Sequence, residues 1–297
     1  MEPIAVCVCT YRRPLQLARL LKILAEMCRP PATMFVIVDN DGSSAQTESL
    51  VRDFQSLCGS PVKFTVEPQP GLSAARNAAL RAARWPSSHW LTKLIETHST
   101  SGAAVVGGPV HPVFATGSEP PNKYQELWSV QKGRLAGRTH VYCTCNCLID
   151  LAAVEFLGDQ PFPDEFRFTG GEDVVFFRRL HTAGIRMEWC DEAIAFEEIS
   201  AERASLGWLR HRWYRLGNIG VKCERAAPIE GALPPLLKTI LLAFRLLIYP
   251  LVNLRIFTMP LLWLLEAERI RGRLASHAGV VVMQYGREGA RQRQCGY

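Results

Sequence analysis

With 297 residues, 48% of them hydrophobic and 21% charged, the chain is long enough to bury a large core and is not composed like a disordered protein. Its formal net charge of +6 and pI near 8.8 suit anionic partners such as nucleotide phosphates or acidic lipid surfaces, without specifying either. No dense Lys/Arg stripe or nucleic-acid motif is present, which disfavours nucleic acid as a partner.

Met1-Glu2-Pro3 leads straight into an apolar run, with no basic leader or cleavage site of a secretion signal. Residues 4–9 form a short continuous apolar run of the kind found in buried parallel strands. Thr10-Tyr11-Arg12-Arg13 follows, and Pro14 suits the first turn of a helix in which Leu17, Leu20, Leu21 and Leu24 recur at helical spacing. Residues 34–38 predict a second strand, ending in Asp39-Asn40-Asp41-Gly42-Ser43. A helix over residues 45–57 leads to a third strand over 62–66. After Gln69-Pro70-Gly71-Leu72, Ser73 is placed to cap a helix over 74–83.

Strand, loop and helix three times over is the sequence form of an α/β domain with a mainly parallel sheet. Ligands of such sheets sit at the carboxyl ends of the strands. Here those ends carry polar residues: Thr10 to Arg13, Asp39 to Asp41, and the turn from Gly71 to Asn77. A carboxylate such as Asp39 can accept hydrogen bonds from a base or ribose, or simply cap its own loop. Arg76 can meet a phosphate at a helix start, or stand as a solvated helix charge.

Beyond Arg84 the alternation calls for a fourth strand, but Trp85-Pro86-Ser87-Ser88-His89-Trp90-Leu91 opens another helix directly. Strands resume with Ala103-Ala104-Val105-Val106. Cys143, Cys145 and Cys147 alternate, so on a strand they would share one face. No C-x-x-C accompanies them, and the ten cysteines are read as buried thiols in a reducing cytoplasm, with a metal site as the alternative. In Gly170-Gly171-Glu172-Asp173 two glycines permit unusual dihedrals and place two carboxylates at the N-terminus of a helix closed by Gly184. Those acids either serve chemistry or only favour the helix dipole. Trp208, Arg210, His211, Arg212, Trp213 and Arg215 follow as a basic and aromatic cluster.

Several of these segments together resemble the family 2 glycosyltransferases, and within them the bacterial exopolysaccharide enzymes. The matching residues are Val8 to Pro14, Val36 to Asp41, Gly71 to Asn77, Tyr142-Cys143-Thr144-Cys145-Asn146, Gly170 to Asp173, and Glu202 to Leu206. The resemblance implies a GT-A nucleotide-sugar-binding fold and inverting transfer from a nucleoside-diphosphate sugar, often UDP-linked. It implies that Thr10, Tyr11, Arg12, Asp39 and Asp41 contact the nucleoside, with Arg76 and Asn77 near the ribose and diphosphate. It makes Asp173 the base that takes the acceptor proton, with Glu172 orienting the acceptor. Arg212, Trp213 and Arg215 then lie over the diphosphate or acceptor, unless their helix merely presents a solvated basic face.

Relatives insert an apolar strand ending in two or three aspartates, the DxD motif that holds Mg²⁺ or Mn²⁺ against the diphosphate. This chain has no Asp between Asp53 and Asp150. Compared with the family pattern, about a dozen residues and one strand are missing, and Phe196 stands where relatives often have a His. Leaving-group charge then falls to Arg76, Arg212 or Arg215, and the expectation is weak or no transferase activity.

From Leu233 the chain is strongly apolar, interrupted by Lys238, Arg245 and Arg255 and expected to break at Pro250 and Pro260. No uncharged stretch reaches the length of a spanning helix. Helices lying in the cytoplasmic face of the membrane fit this pattern, the alternative being packing on the catalytic domain or in a dimer. The tail after Arg287 reads as polar and disordered. The expected organisation is an α/β GT-A domain over 1–225, lacking one strand, and a helical, membrane-associating region over 226–297. The expected function is transfer of a sugar to a lipid-linked or polysaccharide acceptor on the inner face of the cell membrane. A catalytically inactive nucleotide-sugar-binding scaffold is the alternative.

Overall fold

The structure is a computed structural model and describes residues 4–26, 33–41, 45–69, 71, 74–76, 89–115, 117–252 and 260–284. Three parallel strands, β1 (Ile4–Thr10), β2 (Thr33–Asp39) and β3 (Val62–Val66), form a sheet in the order β1-β2-β3. The predicted strand–helix alternation holds. Helix α1 (Pro14–Glu26) follows β1, and α2 (Ala45–Cys58) follows β2. Leu17, Leu21 and Leu24 of α1 pack with Val51 and Phe54 of α2 against Val6, Phe35 and Ile37, while Leu20 turns outward. The residues facing the core thus follow the helical and strand periodicities of the sequence.

Register fixes what the strand ends present. Thr10 pairs with Asp39 and Asp39 with Val66, so the polar residues that follow each apolar strand meet on one edge. Among the described residues, β1 pairs with no strand other than β2. Helix α3 (His89–Ser101) confirms the helical reading around residue 91, and its Leu91 and Leu94 join the core of the first sheet. Residues 77–88, where the missing strand was expected, lie outside the described residues, as do Ser73, most of the helix predicted over 74–83, and the tail after Arg287.

The strands that resume at β4 (Val105–Gly107) build two smaller sheets. In one, β4 lies between antiparallel β8 (Cys147–Ile149) and parallel β9 (Met187–Trp189). In the other, β5 (Val110–Phe114) pairs in parallel with β10 (Ala195–Ile199), and between them in sequence β6 (Gly133–Leu135) and β7 (Arg138–His140) make a hairpin. Helix α4 (Glu172–Thr182) buries Phe176, Phe177 and Leu180 against Phe162, Met187 and Trp189. It ends as predicted, with Gly184 at φ +79° just beyond it.

Two cysteine expectations are corrected. Only Cys147 of the alternating trio lies on a strand, and the chain bends at residues 144–146. Cys58, Cys190 and Cys223 are buried, but Cys7, Cys9 and Cys145 are exposed and Cys143 and Cys147 half-buried. Sequence alone assigned burial from residue type, whereas the tertiary packing decides it here.

Three helices complete the fold: α5 (Leu206–Ala226), α6 (Pro235–Val252) and α7 (Pro260–His277). Pro250 does not break α6, which runs on to Val252, while Pro260 starts α7 in the position where its missing N–H costs nothing. Helices α5 and α7 cross in direct backbone contact. A Cβ on Gly217 would stand 1.9 Å from the Arg269 carbonyl oxygen, and one on Gly272 1.9 Å from that of Tyr214. Asn218, buried at the crossing, donates to the carbonyl of Val280 at 2.8 Å and accepts from the Val282 amide. Helix α6 presents an exposed apolar face of Leu236, Leu237, Ile240, Leu241, Phe244 and Leu247. Among the described residues no helix is long and apolar enough to cross a membrane.

Candidate active site

The site assembles where the apolar strands stop. Asp39, fully buried at the end of β2, accepts from the Asp41 amide at 3.0 Å through Oδ1, and its Oδ2 has no hydrogen-bond partner among the described residues. A buried carboxylate oxygen without a donor is costly, so this atom marks a position where a ligand hydroxyl or N–H would be stabilised. Asn40 fastens the neighbouring loops: its Nδ2 donates to the carbonyls of Glu67 and Gln69 at 2.9 and 2.7 Å, and its Oδ1 accepts from Gly71 N at 2.8 Å. Beside them Arg12 donates through Nε to Asp41 at 2.6 Å and lies 5.1 Å from the Tyr11 ring. Arg12 holds φ +52°, a left-handed conformation that costs a non-glycine residue about 1–2 kcal/mol.

The second half of the site is the start of α4. Gly170 and Gly171 adopt φ +77° and +94°, and a Cβ on Gly171 would stand 2.7 Å from Ile219 Cγ1. Two successive left-handed residues, the second tightly packed, favour glycine, and they turn the chain so that Glu172 and Asp173 open the helix. Asp173 accepts from the Val174 amide at 2.8 Å. Glu172 is 1% exposed and forms an ion pair with Arg76, whose Nη2 also lies 3.6 Å from Asp173. Burial pushes the Glu172 carboxyl up from 4.5 to about 7, against the pull of Arg76 and with a further push from Asp173. Glu172 Oε2 has no hydrogen-bond partner among the described residues.

Helix α5 supplies the third element. Ser205 caps it by accepting from Trp208 N at 3.2 Å. Arg212 lies over Trp208 at 5.1 Å and Trp213 at 5.9 Å, and Arg203 over Trp208 at 5.1 Å. Burial, then repulsion from Arg215, lowers the Arg212 guanidinium below its usual range. Trp208 and Trp213 also pack against the cluster of Trp128, Ile199, Leu209 and Leu265. Arg215, on the same helix as Arg212, acts electrostatically on both Glu172 and Arg212.

The structure therefore places Arg76, Glu172, Asp173, Arg212, Trp213 and Arg215 in one region, with Thr10, Asp39 and Asp41 on the adjoining strand ends. Asn77 lies outside the described residues. Sequence reasoning missed Asn40, which lay in plain view between two named aspartates, and Arg203, which also pairs with Glu197 at 2.8 Å. It placed Arg76 near the ribose and diphosphate and not against the carboxylates, since nothing local shows that residue 76 reaches residues 172 and 173. Phe196, at the position where a His was sought, is 71% exposed on β10 opposite His111.

Residues 5–158 match the profile of glycosyl transferase family 2. The chain is 32% identical over 226 residues to the succinoglycan biosynthesis protein ExoM of Rhizobium meliloti, covering 72% of each chain. It is 23% identical over 202 residues to the glycosyltransferase AglE of Haloferax volcanii, covering 64% of this chain and 65% of the relative. It is 26% identical over 239 residues to the validoxylamine A glucosyltransferase of Streptomyces hygroscopicus subsp. limoneus, spanning 65% of this chain and about half, 51%, of that relative. With the family profile over half its length, its polar strand ends and its paired carboxylates, this chain belongs to glycosyltransferase family 2.

Proposed function

We propose that the chain moves a sugar, with inversion, from a nucleoside-diphosphate sugar to a lipid-linked or polysaccharide acceptor, as in exopolysaccharide synthesis. The observation that carries this reading is the junction of Arg76 with Glu172 and Asp173, and the unsatisfied Asp39 carboxylate at the end of β2 adds to it. Thr10, Tyr11, Arg12, Asp39 and Asp41 face the nucleoside in this reading. Asp173 takes the proton of the acceptor hydroxyl as its oxygen attacks the anomeric carbon, and the bond to the diphosphate breaks on the opposite side. Glu172 fixes Arg76 and orients the acceptor. Arg76, Arg212 and Arg215 meet the charge on the departing diphosphate.

The Mg²⁺ or Mn²⁺ of the family does not fit the residues present. The Glu172 and Asp173 carboxylates are engaged by Arg76, no Asp lies between Asp53 and Asp150, and no group of three His, Cys, Asp or Glu among the described residues is arranged for a metal. The reading therefore assigns leaving-group stabilisation to arginines and expects transfer to be slow. In the same reading residues 226–297 bring the domain over 1–225 to the inner membrane face through the apolar face of α6. Pelleting with anionic liposomes tests that attachment, and recovery wholly in the supernatant refutes it.

The same arginine that fits a metal-free site also favours a second reading, an inactive nucleotide-sugar-binding scaffold, because it ties down both carboxylates. Titration of UDP-sugars with and without Mn²⁺, followed by product detection, separates the two. Metal-independent product supports transfer, binding without product selects the scaffold, and fast transfer that requires Mn²⁺ overturns the assignment to arginine.

A further inference from the structure

Two contacts hold the turn that carries Arg76 against the segment that leads into Glu172. One is the ion pair of Arg76 with Glu172, 96 positions apart. The other joins Gly71 and Arg167, the same distance apart in the chain, and here backbone meets an aliphatic stem. A Cβ on Gly71 would stand 1.9 Å from Arg167 Cγ, 2.8 Å from its Cδ and 3.1 Å from its carbonyl oxygen. Gly71 is also fixed from the end of β2, since its amide donates to Asn40 Oδ1 at 2.8 Å. Its own carbonyl accepts from the Ala75 amide at 3.2 Å, so Gly71 begins the helical turn on which Arg76 stands.

Arg167 is itself held in place. It follows the short 3-10 turn Asp164–Phe166, and its amide donates to the Asp164 carbonyl at 2.9 Å. Its guanidinium forks onto the Asp164 carboxylate, Nε to Oδ1 at 3.0 Å and Nη2 to Oδ2 at 2.5 Å. A two-point pair fixes the planar group in one orientation, where a single contact would let it swing. The residues around it are anchored as well. Phe166 is fully buried and its carbonyl accepts from the Gly170 amide at 3.0 Å, while the Phe168 carbonyl accepts from the Gln284 amide at 2.8 Å. Gly170 and Gly171 then lead directly into Glu172.

We propose that Arg167 is a positioning residue, whose stem holds the Gly71 turn so that Arg76 stays on the Glu172–Asp173 pair. The inference rests on the reading in which Arg76 meets the departing diphosphate beside those carboxylates. The Arg167 guanidinium is engaged by Asp164, so Arg167 contributes through the packing of its stem and not by touching the sugar donor. An ion pair by itself must order both the backbone turn and a long side chain, and each costs conformational entropy. With Gly71 pinned between Asn40 and Arg167, the turn is ordered in advance, and closing the pair with Glu172 orders the Arg76 side chain alone.

The test follows the Glu172 carboxyl of the full chain by NMR with carbon-labelled glutamate, its resonance being the one missing from Glu172→Gln. The charges that bear most on Glu172 are Arg76 and Arg215, which lower its titration midpoint, and Asp173, which raises it. Arg167→Ala should move the midpoint up from about 7, because Arg76 is no longer held close. Arg167→Lys keeps a stem and a charge for Asp164, and its midpoint should stay at the wild-type value. Arg76→Ala should move the midpoint up further, and adding Arg167→Ala to it should produce no second shift, since the effect is relayed through Arg76. An unchanged midpoint in folded Arg167→Ala, an equal shift in Arg167→Lys, or shifts that add in the double variant overturn the proposal. Circular dichroism checks the fold of each variant. If Arg167→Ala does not fold, Asp164→Ala, which frees the guanidinium at an exposed turn, takes its place with the same expected and overturning shifts. The titration needs no sugar donor, so a chain that transfers nothing refutes the proposed transfer and leaves this result standing.

Discussion

Replacing Glu172 with Gln probes the centre of the site through stability, with no need for a substrate. The Glu172 carboxyl titrates near 7 in the folded chain, chiefly because burial penalises its charge, against 4.5 for an ordinary glutamate. Between those values the folded protein keeps a proton that the unfolded chain has released. The stabilisation is complete below pH 4.5 and is lost as pH rises through about 7. At 1.36 kcal/mol per unit, the shift is worth at most about 3 kcal/mol. Gln mimics the protonated acid and does not titrate. The stability of Glu172→Gln relative to wild type should therefore rise by up to about 3 kcal/mol between pH 4.5 and 8. Urea unfolding followed by tryptophan fluorescence at several pH values measures this difference directly, and titrating groups remote from Glu172 cancel in it. Parallel profiles for the two proteins would refute the burial argument and return Glu172 to an ordinary, solvated helix-start acid.

Asp173→Asn removes the only proton acceptor assigned to the acceptor hydroxyl, so transfer should fall by about 10²–10⁴-fold with donor affinity retained, measured by product formation and calorimetric titration. His140 is buried beside His181 at a ring separation of 5.5 Å, and burial, then His181, lowers it to about 4. Its contribution is present above pH 6.5 and lost as pH falls through about 4, at most about 3 kcal/mol, and His140→Gln should flatten that acid limb in urea unfolding. At the α5–α7 crossing, Gly217→Ala or Gly272→Ala drives a methyl into backbone and should cost about 2–3 kcal/mol in thermal or urea unfolding. Gly207→Ala, with nothing within 4 Å of its Cβ, should be neutral or stabilising.

Much of the first sheet was legible because its signals are local. Apolar runs at residues 4–9, 34–38 and 62–66 became β1, β2 and β3, and the leucine spacing after Pro14 became α1. Gly170-Gly171 announced an unusual turn, which both residues adopt at positive φ. Pro250 misled, because the Leu246 carbonyl that its missing N–H would have met accepts instead from the Trp263 indole at 3.2 Å. The alternating cysteines would share a face only on a strand, whereas the buried amide of Asn146 pins a bend there.

The sequence by itself determined the α/β alternation, the polar strand ends and the family, since each rests on residues close together in the chain or on motifs in a fixed order. The tertiary structure decided which of those residues meet. Arg76 and Glu172 are 96 positions apart, and no local propensity encodes their ion pair or the burial that lifts the acid toward 7. Tertiary packing likewise brought Gly217 and Gly272 into backbone contact and left one face of α6 open. Contacts between distant segments, and the dielectric surroundings they create, exist only once the chain has folded.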